Sequence, residues 1–116
     1  MDLDLESTQR GATSILTLRG EVDVYTAPRL RQAIVDLVDA GSPRVVVDME
    51  NVDFLDSTGL GVLVEGWKRA RARESDLAVV ATQDKILKIF DITGLNKWLA
   101  IHRTVDEAVV DPIPGA

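Results

Sequence analysis

The chain opens on an alternation in which Leu3, Leu5 and Ser7 are interleaved with Asp4, Glu6 and Thr8, the period-two pattern of a half-buried strand. Arg10 and Gly11 then offer a turn, and Ser14 to Arg19 reads as a second strand, paired with the first as a hairpin and ended by Gly20. EVDVYTAP is expected to be a loop, with Thr26 capping a helix that has Pro28 in its first turn. Leu30, Ala33, Ile34, Leu37 and Val38 recur at helical spacing, which gives that helix one apolar face for a sheet. Ala40-Gly41-Ser42-Pro43 stops it.

Arg44 to Met49 is short, continuous and β-branched, as expected of a central strand covered on both faces, and Asp48 is read as its end. A helix follows from about Ser57 to Arg73, with Leu60, Leu63, Val64, Trp67 and Ala70 turned inward. Thr58, Val62, Glu65, Arg69 and Arg73 are turned outward, with Ser57 and Gly61 at the edge between the two faces. Leu77 to Ala81 predicts another buried strand. Thr82 is read as the cap of a short helix carrying Ile86, Leu87 and Phe90, which Gly94 stops. Trp98 to Ile101 predicts a last short strand. Thr104 with Glu107 forms a capping box for a final helix through Val105, Ala108 and Val109, and residues 111–116 read as a frayed tail. The order β-β-α-β-α-β-α-β-α requires parallel neighbours at each crossover and an antiparallel pair at the start. The expected fold is therefore α/β, a mixed β-sheet with an N-terminal hairpin and helices packed around it.

Composition narrows the function. With 19 acidic against 13 basic residues among 116, the net charge of −6 disfavours non-specific attraction to nucleic acid or anionic lipid, so the expected partners are proteins. The absence of cysteine removes disulfides, thiolate metal sites and thiol nucleophiles. The acidic, alternating start is unlike a signal peptide, and no apolar run approaches the length of a membrane span, which makes a cytoplasmic protein the expectation.

The chemistry concentrates in DFLDSTGLG, Asp53 to Gly61, a strand-to-helix turn. Asp56 and Ser57 sit at the helix N-terminus, where side-chain oxygens cap free N–H groups and an anion is electrostatically welcome. Spacing alone leaves Ser57 open as a plain cap or as a regulated hydroxyl on a protein-binding surface. A hydrolase would pair Ser57 with His102, but His102 is the only histidine, nothing in the sequence brings it to Ser57, and GxSxG is absent. A nucleotide-binding glycine loop would need a small residue at position 64, where Val64 stands. Gly59 and Gly61 equally permit close approach by another protein's backbone. Asp23, Asp48, Asp53 and Asp56 all follow predicted strands and would gather on one rim, which raises a receiver-like phospho-aspartate site with magnesium. No paired-acid dipeptide follows an early strand to support it.

Taken together, GEVDVYTAPRLR, RVVVDMENVDFLDSTGLGVLV and KIFDITGLNKWLAIHRTVDEAV resemble the anti-sigma factor antagonists, the small single-domain bacterial members of the STAS family. The resemblance spans nearly the whole chain and implies one STAS domain over residues 1–110. It implies a partner-switching regulator of transcription with no catalytic activity and no cofactor or metal. The unphosphorylated form would bind an anti-sigma factor that is also a serine kinase, freeing a sigma factor. The kinase would phosphorylate Ser57, or less readily Thr58, and a PP2C-type phosphatase would reverse it. Asp23, Asp56, Ser57, Thr58, Gly59, Gly61, Val62 and Glu65 are the expected partner-binding residues. Thr58 stands where many relatives carry a second serine. The alternatives are a receiver-like phospho-acceptor and a STAS module that binds a non-kinase anti-sigma factor.

Overall fold

A computed structural model describes residues 2–110; the expected tail at 111–116 lies outside the described residues. The elements run β1 (Leu3–Arg10), β2 (Thr13–Val22), α1 (Ala27–Asp39), β3 (Arg44–Leu55), α2 (Ser57–Ala72), β4 (Asp76–Val80), α3 (Asp84–Thr93), a 3-10 turn (Leu95–Lys97), β5 (Ala100–His102) and α4 (Val105–Val110). The five strands lie in chain order, β1 antiparallel to β2 and all later neighbours parallel. This is the mixed sheet that the element order required.

Side chains alternate across the sheet and divide the core in two. Leu16, Leu18, Val45, Val47, Leu77 and Val79 point to the face covered by α1, α2 and α3, while Ile15, Val46 and Val80 point to the face that α4 covers with Ala108. The three β-α-β crossovers bring their helices to one side because each is right-handed and each moves one strand further along the sheet. Short α4 is fastened by polar contacts as well: Arg44 Nη1 donates to the Ala108 carbonyl at 2.6 Å and Arg10 pairs with Asp106. No helix of the described residues is long and apolar enough to cross a membrane.

Two strands run past their expected ends. Gly20 does not stop β2; it pairs with Leu3 at φ +114 and lies directly against the Asp2 carbonyl, where a Cβ has no room. The register with β3 shifts on either side of this segment, so the glycine marks a bulge rather than a terminus. Likewise Asp48 does not end β3, which continues to Leu55 with Val52 and Leu55 buried. Both extensions are mutual, since Val22 registers with Leu55.

Several local expectations are also corrected. Thr26 occupies the N-cap position of α1 without a side-chain cap bond. Gln83, not Thr82, precedes α3, and its amide bonds the Glu50 and Val52 carbonyls instead. Trp98 lies outside β5, its ring 4.5 Å from that of Trp67 on α2. Gly94 does end α3 in the left-handed conformation; of the expected capping box one half forms, Thr104 Oγ1 accepting from the Glu107 amide at 3.1 Å, while Glu107 Oε2 accepts from the Arg103 amide at 3.5 Å rather than from that of Thr104.

The inward face of α2 differs from the expected leucine stripe. Gly59, Val62, Leu63, Gly66 and Ala70 are buried, and Leu60, Val64 and Trp67 are only partly so. A Cβ on Gly59 would meet Leu55 and Val22 at 2.6 Å, and one on Gly66 would meet Ile34 at 3.0 Å. The helix therefore lies close against the sheet and α1 along its glycines. Val62, expected outside, is 7% exposed because the Gly66 contact rolls that side of the helix toward α1.

Candidate functional site

The extended ends of β2 and β3 deliver two loops side by side, and the Asp56 amide donates to the Val22 carbonyl at 3.2 Å. In the first loop, Asp23 Oδ1 accepts from the Tyr25 and Thr26 amides at 2.8 and 2.9 Å. The Thr26 hydroxyl donates to the Glu21 carbonyl at 2.8 Å and accepts from the Asp23 amide at 2.9 Å. These four bonds satisfy the turn from within, so Asp23 is buried and its role is first to shape the loop. The Thr26 amide above all, helped by Tyr25, holds the Asp23 carboxyl below the usual carboxylate range against the opposing effect of burial. Its second oxygen, Oδ2, is buried with no hydrogen-bond partner among the described residues.

The loop so braced turns Val24 and Tyr25 outward, 57% and 81% exposed, and Phe54 on the neighbouring strand is 44% exposed. Sequence reasoning missed these three residues. The signal for Val24 and Tyr25 was available in EVDVY, where two apolar residues fall between a strand and a proline-started helix without belonging to either period.

At the second loop Asp56 is the helix cap, with extended backbone and Oδ1 accepting from the Gly59 amide at 3.0 Å. Ser57 is the first helical residue; it is exposed, and its hydroxyl makes no hydrogen bond among the described residues. The plain-cap reading of Ser57 therefore gives way, since its neighbour performs that task. Thr58, Gly61 and Glu65 are exposed along the first half of α2. Gly59 is occupied with internal packing, whereas a Cβ on Gly61 would meet nothing within 4 Å. Val62 reaches solvent only as part of the groove between α1 and α2.

That groove begins at Ser57. A cavity of about 280 Å³ is bounded by Ala27 and Pro28 of α1 and by Ser57 and Gly61 of α2, with Arg31 and Glu65 completing it. Arg31 Nε donates to Glu65 Oε2 at 3.0 Å, which bridges the two helices.

The four aspartates do not converge. Asp48 registers with Thr17 and Val80 and lies about 23 Å back along β3 from Leu55 at roughly 3.3 Å per residue. Its Oδ1 accepts from the Glu50 amide. Asp53 is exposed on β3 itself, which leaves Asp23 and Asp56 as neighbours. Among the described residues, no three acids or histidines are grouped to hold a metal ion. His102 registers with Val80 on β5, two strands from β3, which separates it from Ser57.

A five-stranded mixed sheet in sequential order, with helices on one face and a short one on the other, combines here with an acid-capped serine turn at the rim. The STAS domain family model matches residues 4–108, and the chain belongs to that family. An anti-sigma-B factor antagonist of Staphylococcus aureus is 32% identical over 88% of this chain and 94% of its own. One from Listeria monocytogenes is 32% identical over 92% of this chain and 95% of its own. The crystal structure of an anti-sigma factor antagonist from Mycobacterium paratuberculosis superposes with a TM-score of 0.87 at 30% identity, covering 93% of this chain and 92% of that one.

Proposed function

We propose that this protein is an anti-sigma factor antagonist whose unphosphorylated form binds an anti-sigma factor of the serine-kinase type and thereby frees a sigma factor. Ser57 is the residue the kinase modifies, and a PP2C-type phosphatase restores it. The observation that carries this reading is the free, exposed hydroxyl of Ser57 at the start of a helix that Asp56 already caps. Named relatives of almost the same length support the partner class.

The surface around Ser57 suits a protein partner. Val24, Tyr25 and Phe54 supply apolar anchors, Gly61 leaves room for a close approach, and Thr58 and Glu65 supply polar contacts. The position also suits a reversible charge. A phosphoryl group brings about −1.5 to −2 charges, and a helix N-terminus favours an anion by typically 0.3 to 1 kcal/mol, so the fold tolerates it. Across an interface, like unit charges about 4 Å apart at an effective dielectric near 20 repel by roughly 4 kcal/mol, where each 1.4 kcal/mol is tenfold in affinity.

The test is the affinity of the purified anti-sigma factor for the wild type, Ser57→Ala and the Ser57-phosphorylated protein. The first two are expected to bind alike and the third at least tenfold more weakly. Equal binding by all three overturns the switch.

A further inference from the structure

Arg31 lines the same cavity as Ser57, although it comes from α1. The acid paired with it is Glu65 from α2, and Lys68 and Arg69 of the same helix line the adjoining stretch of the groove. Its partnership with Glu65 is a single bond from Nε, and both side chains are more than half exposed, at 57% and 63%. Such a pair is weakly held in water and readily exchanged. Both Nη groups of Arg31 are without a hydrogen bond among the described residues. Ser57, Gly61 and Glu65 follow one another at successive turns along one side of α2, and nothing projects from Gly61 between them.

We propose that Arg31 is the intramolecular ligand of a phosphoryl group on Ser57, and that it leaves Glu65 to take up that role. This rests on the reading of Ser57 as a phosphorylated residue. A phosphoserine presents three acceptor oxygens and nearly two charges to a planar guanidinium whose forked donors match it, a better partner than one exposed carboxylate. The exchange breaks the bridge between α1 and α2 at the mouth of the groove and leaves Glu65 as an unpaired carboxylate one turn beyond Gly61. Modification at one residue thereby alters the charge pattern over two turns of the helix, and the anti-sigma factor meets a second acid that the unmodified surface had neutralised.

The experiment places phosphoserine at position 57 of the full chain and follows the second ionisation of the phosphate by 31P NMR at low salt. Its ordinary midpoint is near pH 6. The helix N-terminus, Asp23 and Asp56 act on it equally in every variant. Arg31→Gln is expected to raise the midpoint by about half a unit or more, because a nearby cation favours the dianion. Glu65→Gln is expected to lower it, and by a larger shift when Arg31 is present than in the Arg31→Gln background. An unchanged midpoint in Arg31→Gln overturns the ligand assignment, and equal Glu65→Gln shifts in both backgrounds overturn the exchange. Both residues are exposed, and the unmodified variants are checked for an unchanged melting temperature. The titration involves no partner, so its failure leaves the affinity switch standing, and failure of the switch is read only from the binding measurement.

Discussion

The two ends of the sheet carry similar residues to opposite effect. At the amino ends of the strands, Arg44 and Asp76 are paired at 3.3 Å and buried, and Ser75 donates to the Ser42 carbonyl at 2.6 Å. The Ser14 hydroxyl meets Gln9 at 2.8 Å as well as Ser42. Polar groups there are spent on one another. At the carboxyl ends of β2 and β3 the backbone is equally well braced by Asp23, Thr26 and Asp56, but Ser57, Tyr25, Val24 and Phe54 are left facing water. A serine in a loop is thus uninformative by itself. What distinguishes the two ends is whether the chain supplies its partner.

This contrast breaks most severely at Arg44. Arg44→Ala strands the buried Asp76 carboxylate and frees the Ala108 carbonyl, and a loss of about 3 to 5 kcal/mol is expected in urea unfolding. Tyr25→Ala should do the reverse, leaving stability within about 0.5 kcal/mol while weakening anti-sigma factor binding by roughly 1 to 2 kcal/mol, read by calorimetry. If Tyr25→Ala binds normally, the apolar rim is not the contact surface.

Gly61→Ala sharpens the comparison further, because its two effects have opposite signs. An exposed helix-interior glycine with open space around it gains up to about 1 kcal/mol of stability as alanine, while the added methyl obstructs a partner's close approach. Higher thermal stability with unchanged binding removes Gly61 from the interface.

The smallest effect is that of acid on Asp23. Its folded-state pKa lies below the unfolded value, so its ionised form contributes stability that is complete above the ordinary carboxylate pKa near 4 and is lost as pH falls through the folded value. Unfolding midpoints of wild type and Asp23→Asn should hold a constant difference from pH 7 down to about 5. Below about 4 the wild type alone should lose its contribution from this site.

The sequence was most legible where apolar residues carried the pattern. The hairpin, the buried Val45–Val47 and Leu77–Val80 runs and the face of α1 are as periodicity requires, and the mixed sheet is as the element order requires. It was least legible where glycine set the packing. Gly59 and Gly66 bring α2 against the sheet and α1, yet a residue with no side chain adds nothing to a hydrophobic stripe, and Val62 was accordingly placed outside. Gly20 misled in the other direction, because a bulge and a strand end call for the same residue. At the candidate site, the serine turn was visible as a motif, whereas Arg31 reaches it from another helix through a contact that linear spacing does not encode.

The sheet's two margins bear on how such a molecule avoids pairing with copies of itself. One margin is β1, whose outer residues from Glu6 to Arg10 are polar and exposed; the other is β5, three residues long. A short strand and a charged one are both poor templates for a further strand from another chain. Neither margin thereby offers one copy of the chain a ready edge on which to pair with another.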